Sequence, residues 1–589
     1  MLRLTGVISD FYCGRLHGVF SVNKLIHAGL ICAVVMLLAA WCCFYRLGEQ
    51  TISPASDEVI HIRVVQEMLH SGRWWQPTHG GEPYFNKPPF KMWLNLLPLY
   101  FLGESNFSYR VLDAFSGVVV VALTILGAWR IYASPGTGML AALFLLGIQS
   151  FILGPHGARR GTQDSLLVLL CTAALLFVWE LYRACPDSSS RKDTPHRRIR
   201  RLAAASGVMT GLAVLTKTVS GLLPLAIAAI FLSTSSKRMY FFRPLALAAL
   251  IAIVLPALYF TPHCLFSELA CESFFTKELF HRVRYGYHNP QDTWLYLRPL
   301  FRGHLVGSAL LIWLMLCWAA WRVFAKKDAG TFFLCVWAAL PLAGYTCIPS
   351  RQFWYIAPAF VPLSLLMGRA LWSVAGMCCT LISPLPGYRR LWQLGGSLAC
   401  MLLLGHAALV LSQDIVHTIN GAAKKSPRPL VDRLAEEIIS TARQHPERAG
   451  VITLGETLAK DAHPKYGHFS TEVIYRGMIE GYFYNAADLA EAQALAQSGQ
   501  FGFLIAPLAL EEELLTLPSI HAYQILGPSR FRKEALLVLG LSPSSGKRPA
   551  LLNTKRVYNF ASAAAPPVSG FGPAEHLGQF WARALDGNR

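Results

Sequence analysis

The sequence predicts a mainly α protein, a polytopic bundle of about 11–13 transmembrane helices followed by a small extracytoplasmic α/β domain. Of its 589 residues, 53% are hydrophobic and only 15% are charged. Many segments approach the roughly 20 apolar residues that cross a bilayer. After residue 412 these segments stop, and short strand and helix patterns take their place. A soluble protein of this length does not have such a composition.

Apolar runs place the membrane spans. The predicted spans are 27–46, 113–132, 137–153, 164–182, 202–217, 219–234, 244–261, 304–323, 330–348, 355–375 and 393–412. A cleaved signal peptide is the alternative for the first run, but the run is long, which favours an uncleaved helix. Residues 88–103 are short and open with two prolines, so we expect a re-entrant or interfacial helix there.

Basic loops orient the bundle. The loop 183–201 is rich in arginine, and further basic turns occur at 237–238, 322–327 and 389–390. The positive-inside rule places all four in the cytoplasm and accounts for the net charge of +19 better than nucleic-acid binding does. The N-terminus is then cytoplasmic. The segments expected outside are 47–112, 154–163, 216–219, 262–303, 349–354 and the tail.

The tail has its own pattern. Strands are expected at 451–454, 501–505 and 535–541, and helices at 430–445 and 488–498. The predicted domains are a transmembrane domain at 1–412 with a catalytic first outer loop at 47–112, an α/β domain at 413–543 and a flexible tail at 544–589.

Cofactor signatures are absent from the sequence. It contains no phosphate-cradling GxxxxGK[ST] loop, no dinucleotide-binding glycine pattern and no zinc-type CxxC spacing. No cofactor is therefore predicted, and nothing supports a divalent metal. Most of the fourteen cysteines lie in or beside apolar runs, where they act as small apolar residues. Cys264 and Cys271 share one outer segment; they are either a disulfide pair or two free thiols, and the second is favoured.

Asp57 and Glu58 follow the first apolar run. One interpretation is structural, since acidic residues favour the first turn of a helix. The other is functional, because a carboxylate at this place is suited to take a proton from an acceptor hydroxyl. The two are compatible, because a helix start is a rigid mount.

Lys87 lies between aromatic residues and the pair Pro88-Pro89. It is either an interfacial lysine that reaches towards water or an ammonium held in a fixed loop against a phosphate leaving group. The prolines favour the second interpretation.

Other charged residues at span ends have weaker signals. Arg160, Asp164, Arg351 and Tyr355 are typical of interfacial anchors, and Glu278 and Arg282 are typical of a surface pair at helical spacing. Lys217 is harder to explain structurally, because it lies in a very short outer turn where no positive charge is required.

The sequence resembles the GT-C membrane glycosyltransferases, and in particular the bacterial relatives of protein O-mannosyltransferases and the aminoarabinose–lipid A transferases. The likeness extends over about residues 25–415 and is sharpest in the first outer loop. There the acidic pair is followed by Ser71-Gly72-Arg73-Trp74 and then by Tyr84-Phe85-Asn86-Lys87-Pro88-Pro89. The family writes the last stretch much like YFEKPP.

The resemblance implies a sugar donor on a polyprenyl phosphate, used at the outer face of a bacterial inner membrane, with a lipid, glycan or protein acceptor. Asp57, beside Glu58, would be the catalytic carboxylate. Relatives continue this pair with Arg-Tyr two residues on, whereas this chain has Ile60-His61, so Arg63 is a candidate substitute. The residues implied at the donor phosphate are Lys87, Lys217, Arg282, Arg351 and Tyr355; those implied to line the cavity are Arg160, Asp164, His61 and Glu278. A flippase of lipid-linked sugars is the rival interpretation.

Overall fold

A computed structural model describes much of the chain. The described residues are 22–49, 57–79, 82–185, 196–235, 237–274, 276, 295–296, 309–349, 351–382, 413, 415–416, 450–454, 482–486, 489–497, 501–516, 520–526, 536–541 and 557–559. The predicted span at 393–412 and the predicted helix at 430–445 lie outside them.

Helices dominate the first two thirds of the chain. In order they are α1 (Val22–Phe44), α2 (Asp57–Ser71), α3 (Phe90–Leu102), α4 (Asn106–Tyr132), α5 (Pro135–Gly147), α6 (Gln149–Ile152), α7 (Asp164–Ala184), α8 (His196–Lys217), α9 (Leu223–Ser233), α10 (Phe242–Phe266), α11 (Glu268–Cys271), α12 (Ala309–Phe324), α13 (Ala329–Cys347) and α14 (Phe360–Ile382). A 3₁₀ turn at Thr218–Leu222 joins α8 to α9, and another at Phe353–Ala359 leads into α14.

Within the described residues, seven stretches are long and apolar enough to cross a membrane. They are Gly29–Glu49, Asn106–Tyr132, Asp164–Ala184, His196–Ser233, Arg238–Phe266, Ala329–Cys347 and Phe353–Met377. Helix α3 has 13 residues, as expected of a segment too short to span. The transmembrane helix bundle is thus confirmed, while the total of about 11–13 spans stays a prediction.

The chain divides into two compact units. The first comprises Met1–Gln50 and Phe85–Ile419, and the second comprises Thr51–Tyr84 and Asn420–Arg589. Each is described by itself below.

Among the seven apolar stretches within the described residues, helix α7 is the most enclosed. Its buried residues run from Asp164 to Leu181, so both polar and apolar faces are covered by neighbours. Near its far end, the ring of Trp179 stacks 5.6 Å from Phe333, and both pack beside Phe231. These aromatic contacts bury the end of α7 that the positive-inside rule predicts to be cytoplasmic. Asp164 lies at the opposite end of the helix.

Arg159 ties the loop before α7 to the end of α1. Its guanidinium donates to the carbonyl oxygens of Cys42, Cys43 and Tyr45 at 2.9, 3.3 and 2.7 Å. These are carbonyls that the end of a helix leaves without internal partners. Burial lowers the pKa of Arg159 to about 10, so the side chain remains a cation at neutral pH.

The second unit contains α2, a small hairpin and a sheet. Strands β1 (Thr78–His79) and β2 (Glu82–Pro83) pair antiparallel. The sheet contains β3 (Gly450–Leu454), β4 (Tyr482–Ala486), β5 (Phe501–Pro507), β6 (Ile520–Leu526), β7 (Leu536–Leu541) and β8 (Val557–Asn559), in the spatial order β6-β7-β5-β3-β4-β8. Helices α15 (Leu489–Gln497) and α16 (Glu511–Leu515) connect its strands.

Sheet pairing confirms the α/β character of the tail. Strand β3 pairs parallel with both β4 and β5, and β7 pairs antiparallel with β5. The three predicted strands and the helix at 488–498 are present. Strands β4, β6 and β8 were not predicted. Three residues of the segment predicted to be flexible, Val557–Asn559, pair antiparallel with β4.

Candidate functional site

Asp164 and Lys217 form a buried ion pair in the first unit. Asp164 is the first residue of α7, and Lys217 is the last residue of α8. Lys217 Nζ lies 2.6 Å from Asp164 Oδ1, and the side chains are 11% and 3% exposed. Each of these two buried charges stabilises the other, because a buried charge without a counterion is strongly destabilising. The sequence predicted both residues for one cavity, and the structure brings them into contact.

The turn after Lys217 holds this lysine tightly. Thr218 has a φ of +32°, in the left-handed region that non-glycine residues seldom adopt. At Gly221, a Cβ atom would lie 2.2 Å from the backbone nitrogen of Val214. Only glycine therefore allows the turn to fold back on α8. The position of the Lys217 ammonium depends on this close backbone contact.

His156 binds the other oxygen of Asp164. Its Nδ1 lies 2.7 Å from Asp164 Oδ2, and its ring stacks on Trp354 with centroids 4.1 Å apart and planes 11° apart. The Asp164 carboxylate is therefore held from two sides, by an ammonium and by an imidazole. A small cavity borders His156, Asp164 and Trp354; its lining is Ser150, Phe151, His156, Asp164, Ser165, Val168, Trp354, Ala357 and Phe360.

Tyr355 covers Lys217 on a further side. The ammonium lies 5.2 Å from the centre of the Tyr355 ring, a cation–π distance. The Tyr345 ring is 5.3 Å away from that of Tyr355, and the Tyr345 hydroxyl donates to Ser220 Oγ at 2.7 Å. We refer to His156, Asp164, Lys217, Trp354 and Tyr355 as the Asp164 cluster.

Arg351 lies four residues before Tyr355 and is half-buried. Its Nε donates to the carbonyl oxygen of Thr346 at 3.0 Å, which orients the guanidinium. The following residue, Gln352, is held by Tyr296, whose hydroxyl donates to the Gln352 carbonyl at 2.9 Å. Burial raises the pKa of Tyr296, so this hydroxyl keeps its proton. The segment that carries Arg351 and Tyr355 is thus anchored at Arg351 and at Gln352.

Lys87 is half-buried, and the residues around it are fixed. The Phe85 ring meets His263 and Phe274 edge-on, each at 5.5 Å between centroids. After Lys87, the prolines at 88 and 89 are buried, and the carbonyl of Pro89 accepts from the backbone of Trp93 to start α3. The expected fixed loop around Lys87 is present.

In the second unit, Asp57 and Glu58 form the first turn of α2. Asp57 is half-buried, whereas Glu58 and His61 are buried. Arg63, the candidate substitute for the missing arginine, pairs with Glu67 at 2.6 Å one turn on. Glu67 also accepts from Thr78 Oγ1 at 2.6 Å, which ties α2 to the hairpin. The first-turn interpretation of the acidic pair is confirmed, and its role as a base stays a prediction.

The remaining predicted residues are less informative. Arg160 is half-buried, and its backbone nitrogen donates to Gly157 at 3.0 Å. Glu278 and Arg282 lie outside the described residues. Within the part of the chain that the structure describes, no group of three or more His, Cys, Asp or Glu side chains is arranged to hold a metal ion.

Sequence reasoning missed the partners that complete the Asp164 cluster. His156 and Trp354 belong to no local motif that would mark them as neighbours of Asp164. Tyr345 and Ser220 lie within or beside apolar runs that carry no local signal. Their sequence separation from Lys217 and Tyr355 hides contacts that exist only in three dimensions.

The helix bundle defines a polytopic membrane protein, and solved membrane-protein structures share its fold. Among solved structures, ArnT from Cupriavidus metallidurans bound to undecaprenyl phosphate superposes with a TM-score of 0.62 at 18% identity, covering 88% of this chain and 98% of that one. The apo oligosaccharyltransferase of Archaeoglobus fulgidus superposes with a TM-score of 0.52 at 12% identity, covering 90% and 76%.

Sequence comparison confirms the expected relationship. The profile of dolichyl-phosphate-mannose-protein mannosyltransferases matches residues 61–265. The undecaprenyl phosphate-alpha-4-amino-4-deoxy-L-arabinose arabinosyl transferase 2 of Pseudomonas fluorescens is 31% identical over 348 residues, 58% of this chain and 56% of that protein. The corresponding transferase of Edwardsiella ictaluri is 31% identical over 320 residues, 53% and 54%. The chain spans about half the length of the curated relatives it matches.

Proposed function

We propose that this protein is an integral membrane glycosyltransferase that moves a sugar from a polyprenyl-phosphate donor to an acceptor on the outer face of the bacterial inner membrane. Its curated relatives are named as transferases that use an undecaprenyl-phosphate pentose. The fold neighbour ArnT was solved with undecaprenyl phosphate bound. These names favour a transferase over a flippase.

The observation that carries the proposal is the placement of Lys217. A buried carboxylate at 2.6 Å and an aromatic face at 5.2 Å hold its ammonium, and that carboxylate, Asp164, lines a small cavity. A cation that is fixed before the reaction stabilises charge that develops in the transition state, and does so without reorganisation. In this reaction, that charge develops on the departing lipid phosphate.

The proposed chemistry is a single displacement. The acceptor oxygen attacks the anomeric carbon of the sugar, its proton passes to Asp57, and the bond between that carbon and the phosphate oxygen breaks. The lipid phosphate leaves with the bonding electrons. Glu58 supports Asp57, and the donor phosphate is assigned to Lys87, Lys217, Arg282, Arg351 and Tyr355. The cavity is assigned to Arg160, Asp164, His61 and Glu278.

The proposed organisation follows from the membrane orientation that the basic loops predict. Residues 1–412 form the membrane domain with a cytoplasmic N-terminus, and residues 413–543 form an extracytoplasmic domain before a flexible tail. The acceptor is lipid A, another glycan or a protein. A lipid-linked donor enters sideways from the bilayer beside α3, whose 13 residues suit an interfacial helix.

Purified protein in nanodiscs tests the proposal. A panel of radiolabelled polyprenyl-phosphate sugars is offered with envelope lipids and peptides, to wild type, Asp57→Asn and Lys87→Ala. Lys326→Ala is the matched control, since Lys326 is exposed in a predicted cytoplasmic turn. Transfer by wild type and the control, and loss in the other two folded variants, is expected. Lipid translocation without transfer, unchanged in Asp57→Asn, would establish the flippase instead.

A further inference from the structure

Two cysteine thiols meet at the end of α10. Cys264 lies in the last turn of that helix, and Cys271 is the last residue of α11. The two sulfurs are not bonded to each other in the structure, and the two side chains are within hydrogen-bonding reach of each other. Cys264 is half-buried and Cys271 is exposed.

This approach depends on a break in the helix. In a continuous helix, residues seven apart are separated by about 10.5 Å along the axis, which exceeds the Cα separation of roughly 4.4–6.8 Å that a disulfide spans. Ser267 adopts extended backbone angles, with φ −147° and ψ 111°, and its hydroxyl accepts from the backbone of Ala270 to start α11. The chain therefore turns a corner between the two cysteines.

We infer that Cys264 and Cys271 form a structural disulfide in the mature protein. This inference rests on the proposed orientation, which places 262–303 in the extracytoplasmic compartment, where disulfides persist. The exposed Cys271 thiolate attacks a disulfide of an oxidising thiol–disulfide exchange protein and forms a mixed disulfide. Cys264 then attacks the Cys271 sulfur. The two cysteines lose two protons and two electrons, and the exchange protein leaves as a dithiol.

The proposed disulfide would lie beside the aromatic residues that pack against Phe85. His263 precedes Cys264, Phe274 follows Cys271 by three residues, and both rings pack edge-on against Phe85. Phe85 is two residues from Lys87. His263 is itself fixed, because its Nδ1 lies 2.8 Å from the carbonyl oxygen of Tyr259. A bond between Cys264 and Cys271 closes the corner that holds both rings, and so braces the Lys87 loop.

Thiol trapping tests the disulfide without an activity assay. Spheroplasts are treated with a membrane-impermeant maleimide, before or after a reductant, and labelled peptides are identified by mass spectrometry. Cys347 is the matched control: it is exposed at the end of α13, on the same predicted outer side. We expect Cys347 to be labelled directly, and Cys271 only after reduction. The unreduced peptides should be joined and lighter by two hydrogen atoms.

The outcomes separate the two hypotheses. Direct labelling of both Cys347 and Cys271 would overturn the disulfide and keep the orientation. Labelling of neither until the membrane is lysed, with both thiols then reactive, would overturn the orientation and the disulfide with it. Cys264→Ser should make Cys271 reactive without reductant, and failure to do so would also overturn the pairing.

A kinetic experiment tests the bracing of Lys87. Reductant should raise the donor KM of the wild type several-fold and leave that of Cys264→Ser/Cys271→Ser unchanged, because the double variant has no bond to lose. An equal response of both proteins to reductant would overturn the bracing role. Absence of transfer in every sample would count against the proposed function and not against the disulfide, which the mass measurement reports.

Discussion

Lys91 Nζ lies 3.0 Å from Asp113 Oδ2, and neither side chain has any exposed surface. The pair joins α3 to α4. One turn further along, Asn95 Nδ2 is 3.5 Å from the Tyr109 carbonyl oxygen, so the two helices face each other through polar groups at matched spacing. The connection turns at Gly103, with φ +71°, and Ser105 caps α4. Lys87 lies just before this pair of helices, which therefore supports the loop that carries Lys87.

Replacing one partner of this pair should be costly. Lys91→Met or Asp113→Leu leaves a buried charge without its counterion, and each should lower the free energy of unfolding by about 3–5 kcal/mol. The double variant Lys91→Met/Asp113→Leu should recover most of that loss, because an apolar pair of similar volume avoids desolvation of both charges. Denaturant unfolding in detergent measures all three; additive losses in the double variant would contradict a direct pairing.

Lys217→Met should slow transfer strongly in the protein that remains folded. Loss of a cation held against the departing phosphate should lower kcat by about 10²–10³-fold. Lys237→Met is a matched control, because Lys237 also lies 5.0 Å from a tyrosine ring but donates to the Cys185 carbonyl at 2.9 Å rather than to a carboxylate. Single-turnover transfer measures both variants. Equal kcat values for the two would refute the assigned role of Lys217.

Asp164→Asn separates positioning from phosphate contact. The amide keeps the shape of Asp164 but removes the charge that holds Lys217, so the donor KM should rise while the protein remains helical. His156 should lose order with it, because it shares the same carboxylate at 2.7 Å. Circular dichroism checks that the protein remains helical, and donor titration measures the donor KM. An unchanged donor KM would show that the carboxylate does not position the ammonium.

Gly221→Ala should destabilise the Lys217 turn. The added Cβ would lie 2.2 Å from Val214 N and 2.3 Å from the Ala213 carbonyl carbon, both backbone atoms. The backbone must shift, at a cost of about 1–3 kcal/mol. At Gly344, within α13, nothing lies within 4 Å of the added atom. Gly344→Ala should therefore be neutral or stabilise by about 0.5–1 kcal/mol. A comparison of the thermal unfolding midpoints tests the contrast.

Arg159→Met should lower stability more than Arg46→Met. Arg159 satisfies three carbonyls at the end of α1, and those of Cys42 and Cys43 would become buried acceptors without a donor. Arg46 pairs with Glu49 at a partly exposed site, where an ion pair contributes about 0–1 kcal/mol. Matched unfolding curves decide; a smaller loss for Arg159→Met would show that water replaces the guanidinium.

Apolar runs were enough to locate much of the fold. They placed α7 and α13 within two residues of their bounds and located α4 and α10, because a bilayer demands about 20 apolar residues per crossing whatever the neighbours are. The start of α4 and the end of α10 lie further from the predicted bounds. Proline and length set α3 apart in the same way. In the tail, β4 and β6 escaped prediction because polar and aromatic residues interrupt their alternation.

By itself, the sequence determined the helix bundle, the α/β tail and the charged residues worth testing, since local hydropathy and span-end charges are readable one segment at a time. It did not determine which of those charges meet. Asp164 and Lys217 lie 53 positions apart, and Lys91 and Asp113 belong to separate helices. Only the tertiary structure decided these pairs and added His156 and Trp354, because contact between distant segments depends on how the helices pack, and each residue's local pattern is satisfied in many packings.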